Sequence, residues 1–133
     1  MKQEGIALID YRIKQARESI QEAKVLRGQG MSNRSVMNRL YYAMFYAVLA
    51  LLQEKQLGTS KHYGAISLFD REFVKSGLID TEYSKALHKA FILRQKGDYL
   101  EEAEVSLADI EEIFPQAESF VGLVEERFLQ GKK

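Results

Sequence analysis

Apolar residues return along this chain every third or fourth position and almost nowhere every second one, so the pattern predicts helices from end to end. In the first helix, from about Gly5 to Leu26, Ile6, Ile9, Ile13, Ala16, Ile20 and Ala23 follow a 3-4-3-4-3 spacing. That is the seam of a bundle helix packed at a shallow angle. Gly28, Gln29 and Gly30 end it, and Ser32 is placed to cap a second helix that continues to about Lys55. A short third helix starts after Thr59 and Ser60 and stops at Gly77. Asp80 caps a fourth, ending at Gly97, which sets Tyr83, Leu87, Ala90 and Phe91 on one face. Ser106 and Asp109 resemble a capping box for the last helix, which turns Ile110, Ile113, Ala117, Phe120, Val124 and Phe128 inward. Pro115 is expected to kink or split it. Every connection is short, which favours antiparallel neighbours. The expected fold is all-α: an antiparallel up-down four-helix bundle with an additional short helix, one domain over residues 1–133.

The second helix departs from the simple pattern. From Leu40 to Leu52 it has no charged or amide residue, although a bundle helix normally keeps one face in water. Leu40, Met44, Ala47 and Leu51 form an aliphatic face suited to the core. Tyr42, Phe45, Tyr46 and Leu49 form an opposing aromatic face, with Asn38 and Arg39 at its edge. The fifth helix or a second protein must cover that face, since exposed patches of Tyr, Phe and Arg typify interfaces. A homodimer through Tyr42, Phe45, Tyr46 and Leu49 is therefore expected.

Composition narrows the classes. The 133 residues hold no cysteine, so disulfides and thiolate metal sites are excluded. The start lacks an apolar signal segment, and the run from Leu40 to Leu52 falls short of the roughly 20 residues needed to span a bilayer. A soluble cytoplasmic protein with no membrane partner is expected. Net charge is zero but uneven: residues 1–61 carry ten Lys/Arg against five Asp/Glu, and residues 101–133 carry three against nine. Mutual neutralisation of the acidic last helix by the basic early ones accounts for this more simply than a nucleic-acid footprint does.

Arg94 is the most informative single residue. It continues the apolar stripe of the fourth helix, where its fork of donors needs a carboxylate, a phosphate or several carbonyls. Either Asp98 or another acid neutralises it, or it lines a cleft for something anionic. The two histidines, His62 and His88, lie on different helices without a third ligand at metal spacing, so no metal site and no cofactor are expected. Lys61 and His62 open the third helix, where free backbone N–H groups could help hold an anion; the plainer alternative is a surface histidine. His88 is expected in solvent. No phosphate loop, HExxH or GxSxG motif occurs.

Three segments together resemble the HEPN superfamily, in its branch of prokaryotic stand-alone domains related to the toxin partners of minimal nucleotidyltransferases. They are Asn38 to Leu52, then Lys61 to Phe69 followed by Phe73 to Gly77, then Arg94 to Tyr99 with Phe120 and Val121 in the last helix. The resemblance implies a dimeric bundle of four main helices plus a shorter one. Many members are metal-independent ribonucleases whose motif is an arginine, usually followed by a polar residue, with a histidine several positions on. Arg94 and Gln95 match its start, but the residues after them are Lys96, Gly97, Asp98 and Tyr99, with no histidine.

Cutting RNA without a metal needs a base for the 2′-hydroxyl and an acid for the leaving oxygen. An Asp98 paired with Arg94 is a weak base and no acid. Two readings follow. In the first, the chain is a nucleotide-, RNA- or partner-binding HEPN module, paired with a minimal nucleotidyltransferase in a toxin–antitoxin-like system. Its cleft would use Arg94, Asp98, Tyr99, Arg39, Tyr42 and Lys61, with Tyr99 a candidate for modification by the partner. In the second, it is a metal-independent endoribonuclease using Arg94 with His62 or Asp98 as catalytic groups. A bare dimerisation scaffold ranks third.

Overall fold

The computed structural model describes residues 3–58, 61–99 and 105–131, with the side chains of residues 96–99, 130 and 131 outside that description. Five α-helices follow one another: α1 (Gln3–Gly28), α2 (Asn33–Glu54), α3 (His62–Phe69), α4 (Thr81–Tyr99) and α5 (Leu107–Gly131). No strand occurs among the described residues.

Cross-helix pairs fix the directions. Arg17 with Glu125 and Lys24 with Glu118 run α1 antiparallel to α5. Asn33 to Val105 at one end and Glu54 to Arg127 at the other run α2 parallel to α5. Lys89 with Glu112 and Tyr83 with Phe120 set α4 antiparallel to α5. The four long helices are thus an up-down bundle, and α3 lies on the connection between α2 and α4 as the additional short helix.

The start signals act as the sequence suggests. Ser32 accepts a hydrogen bond from the Ser35 N–H at 3.1 Å. Asp80 accepts one from the Glu82 N–H at 2.9 Å. Ser106 and Asp109 each accept from the other's backbone N–H at 3.1 Å, a reciprocal capping box in which aspartate serves in place of glutamate.

The stops differ between helices. After α1, Gly30 takes a left-handed φ of 70°, and the Met31 N–H bonds back to the Leu26 carbonyl at 2.9 Å. After α2 the same geometry falls on Gln56, with φ 57° and the Leu57 N–H on the Leu52 carbonyl at 2.8 Å. A side chain with a Cβ is strained in that region. Replacing the exposed Gln56 by glycine is expected to stabilise the protein by about 0.5–1 kcal/mol, read as a raised midpoint of thermal unfolding; an unchanged or lowered midpoint would contradict this.

One expectation about element shape is corrected, and one of the two alternatives at Pro115 is removed. The third helix is not one α-helix to Gly77: at Asp70 it widens into a π-helical turn, Asp70–Val74, closed by the Lys75 N–H on the Asp70 carbonyl at 2.8 Å. Pro115 does not split the last helix, because α5 runs unbroken through it.

Helix α2 is the centre of the molecule, packing against α1, α3, α4 and α5. This explains its lack of a polar face. Leu40, Met44, Ala47 and Leu51 are buried as expected, but so are Val36, Met37, Tyr41, Ala43, Phe45, Val48, Ala50 and Leu52. Small residues on both sides, Ala16, Ser19 and Ala23 on α1 and Ala43, Ala47 and Ala50 on α2, suit close approach of these two helices. By length and composition alone α2 could cross a bilayer; in the fold its apolar surface is mostly spent on the core. Ile6, placed in the α1 seam by its spacing, lies near the helix end and is 40% exposed.

Part of the uneven charge is met within the fold. Arg17 and Lys24 of α1 meet Glu125 and Glu118 of α5, and Lys89 of α4 meets Asp109 and Glu112. Glu54 and Arg127 form a two-pronged pair at 2.8 and 3.1 Å. Such exposed pairs each contribute little, about 0–1 kcal/mol, and serve more to fix register.

Candidate functional site

The densest chemistry gathers where α2, α4 and the first residue of α3 meet, and its pivot is Tyr41. This residue is fully buried, so its phenol needs a hydrogen-bond partner. His62 supplies one: Tyr41 Oη lies 2.7 Å from His62 Nδ1. The imidazole is further held by Phe45, whose ring is parallel to it within 5° at 4.2 Å between centroids. Tyr42 meets the same imidazole edge-on at 5.9 Å. His62 is therefore a fixed group rather than a loose surface histidine.

Arg94 reaches this cluster from α4. Its guanidinium carbon lies 5.2 Å from the ring centroid of Tyr41 and 5.2 Å from that of Tyr42. Its Nε is buried. Arg39, one turn before Tyr42 on the α2 surface, places a second guanidinium 5.1 Å from the Tyr42 centroid. Arg39 also donates to Asn38 Oδ1 at 2.8 Å and reaches Glu22 at 3.5 Å. Two guanidiniums and one imidazole thus converge on the partly exposed ring of Tyr42, a cationic and aromatic cluster.

The local electrostatics follow. Burial pushes the Tyr41 phenol well above its ordinary range, and the nearby Arg94 charge only partly opposes this. Tyr41 stays protonated at any physiological pH. Burial first, and the Arg94 charge second, lower the pKa of His62 below that of a free histidine. The imidazole is therefore neutral at pH 7. A protonated phenol beside a neutral imidazole and a guanidinium has one acceptor available, the Nδ1 lone pair. With Tyr41 O–H donating to Nδ1 across this 2.7 Å contact, the proton of His62 is on Nε2. In that tautomer His62 offers a donor to an anion, and no free lone pair to act as a base.

Two measurements check this. Nitrogen NMR of His62 is expected to show the Nε2–H tautomer and a pKa below 6.5, rising in Arg94→Ala because a neighbouring positive charge is gone. An ordinary pKa unchanged by the substitution would contradict the arrangement. The sign for stability is also fixed. A histidine whose folded pKa is depressed binds its proton more readily unfolded, so its contribution is complete above pH of about 6.5 and is lost as pH falls from there through the folded pKa.

Of the residues singled out from sequence, the structure brings Arg39, Tyr42, His62 and Arg94 together. Lys61 is the exposed N-cap residue of α3 beside them, without a capping side-chain bond. Asp98 and Tyr99 belong to α4 by backbone, but their side chains lie outside the described residues. The aromatic face of α2 is covered in part from within: Phe45 is only 5% exposed, with His62 on its ring, while Tyr42, Tyr46 and Leu49 remain partly open. Sequence reasoning missed Tyr41. The available signal was a tyrosine in an unbroken apolar run, whose hydroxyl would need a polar partner from elsewhere. His88 is exposed as expected, yet it also bonds Asp70 at 2.6 Å, and Asp70 accepts from Ser84 Oγ at 2.6 Å. These bonds tie the start of the π-turn to α4.

Comparison with known proteins agrees with this fold. The HEPN domain family matches residues 9–127. A protein of Thermotoga maritima named "UPF0332 protein" is 39% identical over 118 residues, covering 89% of each chain. Two proteins of Methanocaldococcus jannaschii are also similar. "Putative toxin MJ0605" is 35% identical over 121 residues, 91% of this chain and 86% of its own. "Putative toxin MJ0142" is 29% identical over 125 residues, 90% of this chain and 84% of its own. With the helical bundle and a match over nearly its whole length, the chain belongs to the HEPN family.

Proposed function

We propose that the Arg39–Tyr42–His62–Arg94 cluster binds the phosphate of a nucleotide or of RNA, and that the chain is a HEPN module of toxin–antitoxin type. The observation that carries this is the convergence of two guanidiniums and the fixed imidazole on one tyrosine ring. Guanidinium forks suit phosphate oxygens, and His62 Nε2–H adds a neutral donor. The toxin names of the two archaeal relatives support the context. A minimal nucleotidyltransferase is the partner this reading implies, with Asp98 and Tyr99 extending the cleft along α4. A second copy of the chain would sit on Tyr42, Tyr46 and Leu49.

A second reading, a metal-independent endoribonuclease, has one observation in its favour: His62 does lie with Arg94 against the same tyrosines. Arg94 would then steady the scissile phosphate while His62 moves the proton. The tautomer argues against it, because Tyr41 occupies the lone pair that a base would need.

Incubating a mixed RNA pool with the purified protein in EDTA separates the two. The binding reading expects RNA that is retained but intact, with retention lost in Arg94→Ala. Cleavage that disappears in both Arg94→Ala and His62→Ala, with both variants folded, would replace it by the nuclease. No retention and no cleavage would remove both.

A further inference from the structure

We propose that Tyr63 is a stacking platform for a base of single-stranded RNA whose phosphate is held at the Arg39–Arg94–His62 cluster; the inference rests on the phosphate-binding reading above. Tyr63 is 74% exposed, more than any other large apolar side chain among the described residues. It follows His62 directly, so the two Cα atoms are about 3.8 Å apart. The inward stripe of α3 is His62, Ala65, Ile66 and Phe69, of which the last three are buried. Tyr63 stands about 100° round the helix from His62, on the flank of that buried stripe. Three neighbouring rings, Tyr41, Tyr42 and Phe45, are engaged with His62, whereas no ring of the described residues stacks on Tyr63.

Its chemistry limits what it can receive. A tyrosine ring in solvent offers a π-face and a hydroxyl, which suit an unpaired base of any identity. A duplex keeps its bases stacked on one another and gives Tyr63 nothing to hold. Tyr63 would thus supply preference for single strands, while the guanidiniums supply attraction to the backbone.

The experiment compares three probes by fluorescence anisotropy: a short single-stranded RNA, an abasic strand of the same length, and a duplex of the same sequence. Wild type is expected to bind the single strand about tenfold more tightly than the abasic strand. Tyr63→Ala should lose that difference and leave abasic binding unchanged, while Tyr63→Trp should keep it. Arg94→Ala should weaken both strands. Equal single-strand binding by wild type and Tyr63→Ala overturns the stacking role and leaves phosphate binding standing. So does an equal loss on both strands in Tyr63→Ala, since stacking cannot act on a strand without bases. Failure of wild type to bind either strand removes the phosphate-binding reading, and the stacking role with it.

Discussion

Replacing Arg94 by alanine is expected to lower affinity for single-stranded RNA by roughly 10- to 100-fold while leaving the bundle folded. The guanidinium sits over two tyrosines and is partly open, so its removal takes away charge and some packing but opens no large core cavity. Binding through phosphates also releases counterions. The slope of log affinity against log salt should therefore become shallower by about 0.7 for each single-strand phosphate that the variant no longer neutralises. Arg94→Lys should restore little, because an ammonium cannot present two parallel donors. Full affinity in Arg94→Ala would place the anion site elsewhere.

The second large effect concerns stability. Phe69 is fully buried and packs its ring against Phe73 at 6.2 Å and Phe120 at 5.5 Å between centroids. It joins α3 and the π-turn to α5. Phe69→Ala is expected to destabilise by about 3–5 kcal/mol, the transfer loss plus the cavity. For a chain of this size that lowers the unfolding midpoint by roughly 10 °C or more. Because Phe69 anchors the helix whose first residue is His62, the variant should also loosen the imidazole. A loss below about 1 kcal/mol in denaturant titration would mean that α3 is not held by this packing.

These two residues also show how far the sequence could be read. Phe69 belongs to a helical stripe, and such stripes carry period and direction, so the bundle and its caps were legible at Ser32, Asp80 and Ser106. The π-turn was not, since Asp70–Val74 has ordinary helical composition. Helix α2 was half legible. An apolar run shows that every side is covered, but not that α3 and α4 supply part of the cover. Arg94 announced itself as a charge in an apolar stripe; its neighbours did not. The bond between Tyr41 and His62 joins residues 21 positions apart, and no local pattern encodes a meeting made by two helices folding together. Gln56 was silent for a related reason: its left-handed backbone is imposed by the α2 stop, at a residue that does not favour it.

The proposed anion site is one cluster built from α2, α4 and the start of α3. Backbone and histidine NMR during titration with a nucleoside monophosphate tests it most directly. The largest shifts are expected at Arg39, Tyr41, Tyr42, His62 and Arg94, with His62 Nε2–H moving as it donates to the phosphate. Shifts centred on another face, or none at concentrations where RNA binds, would contradict it.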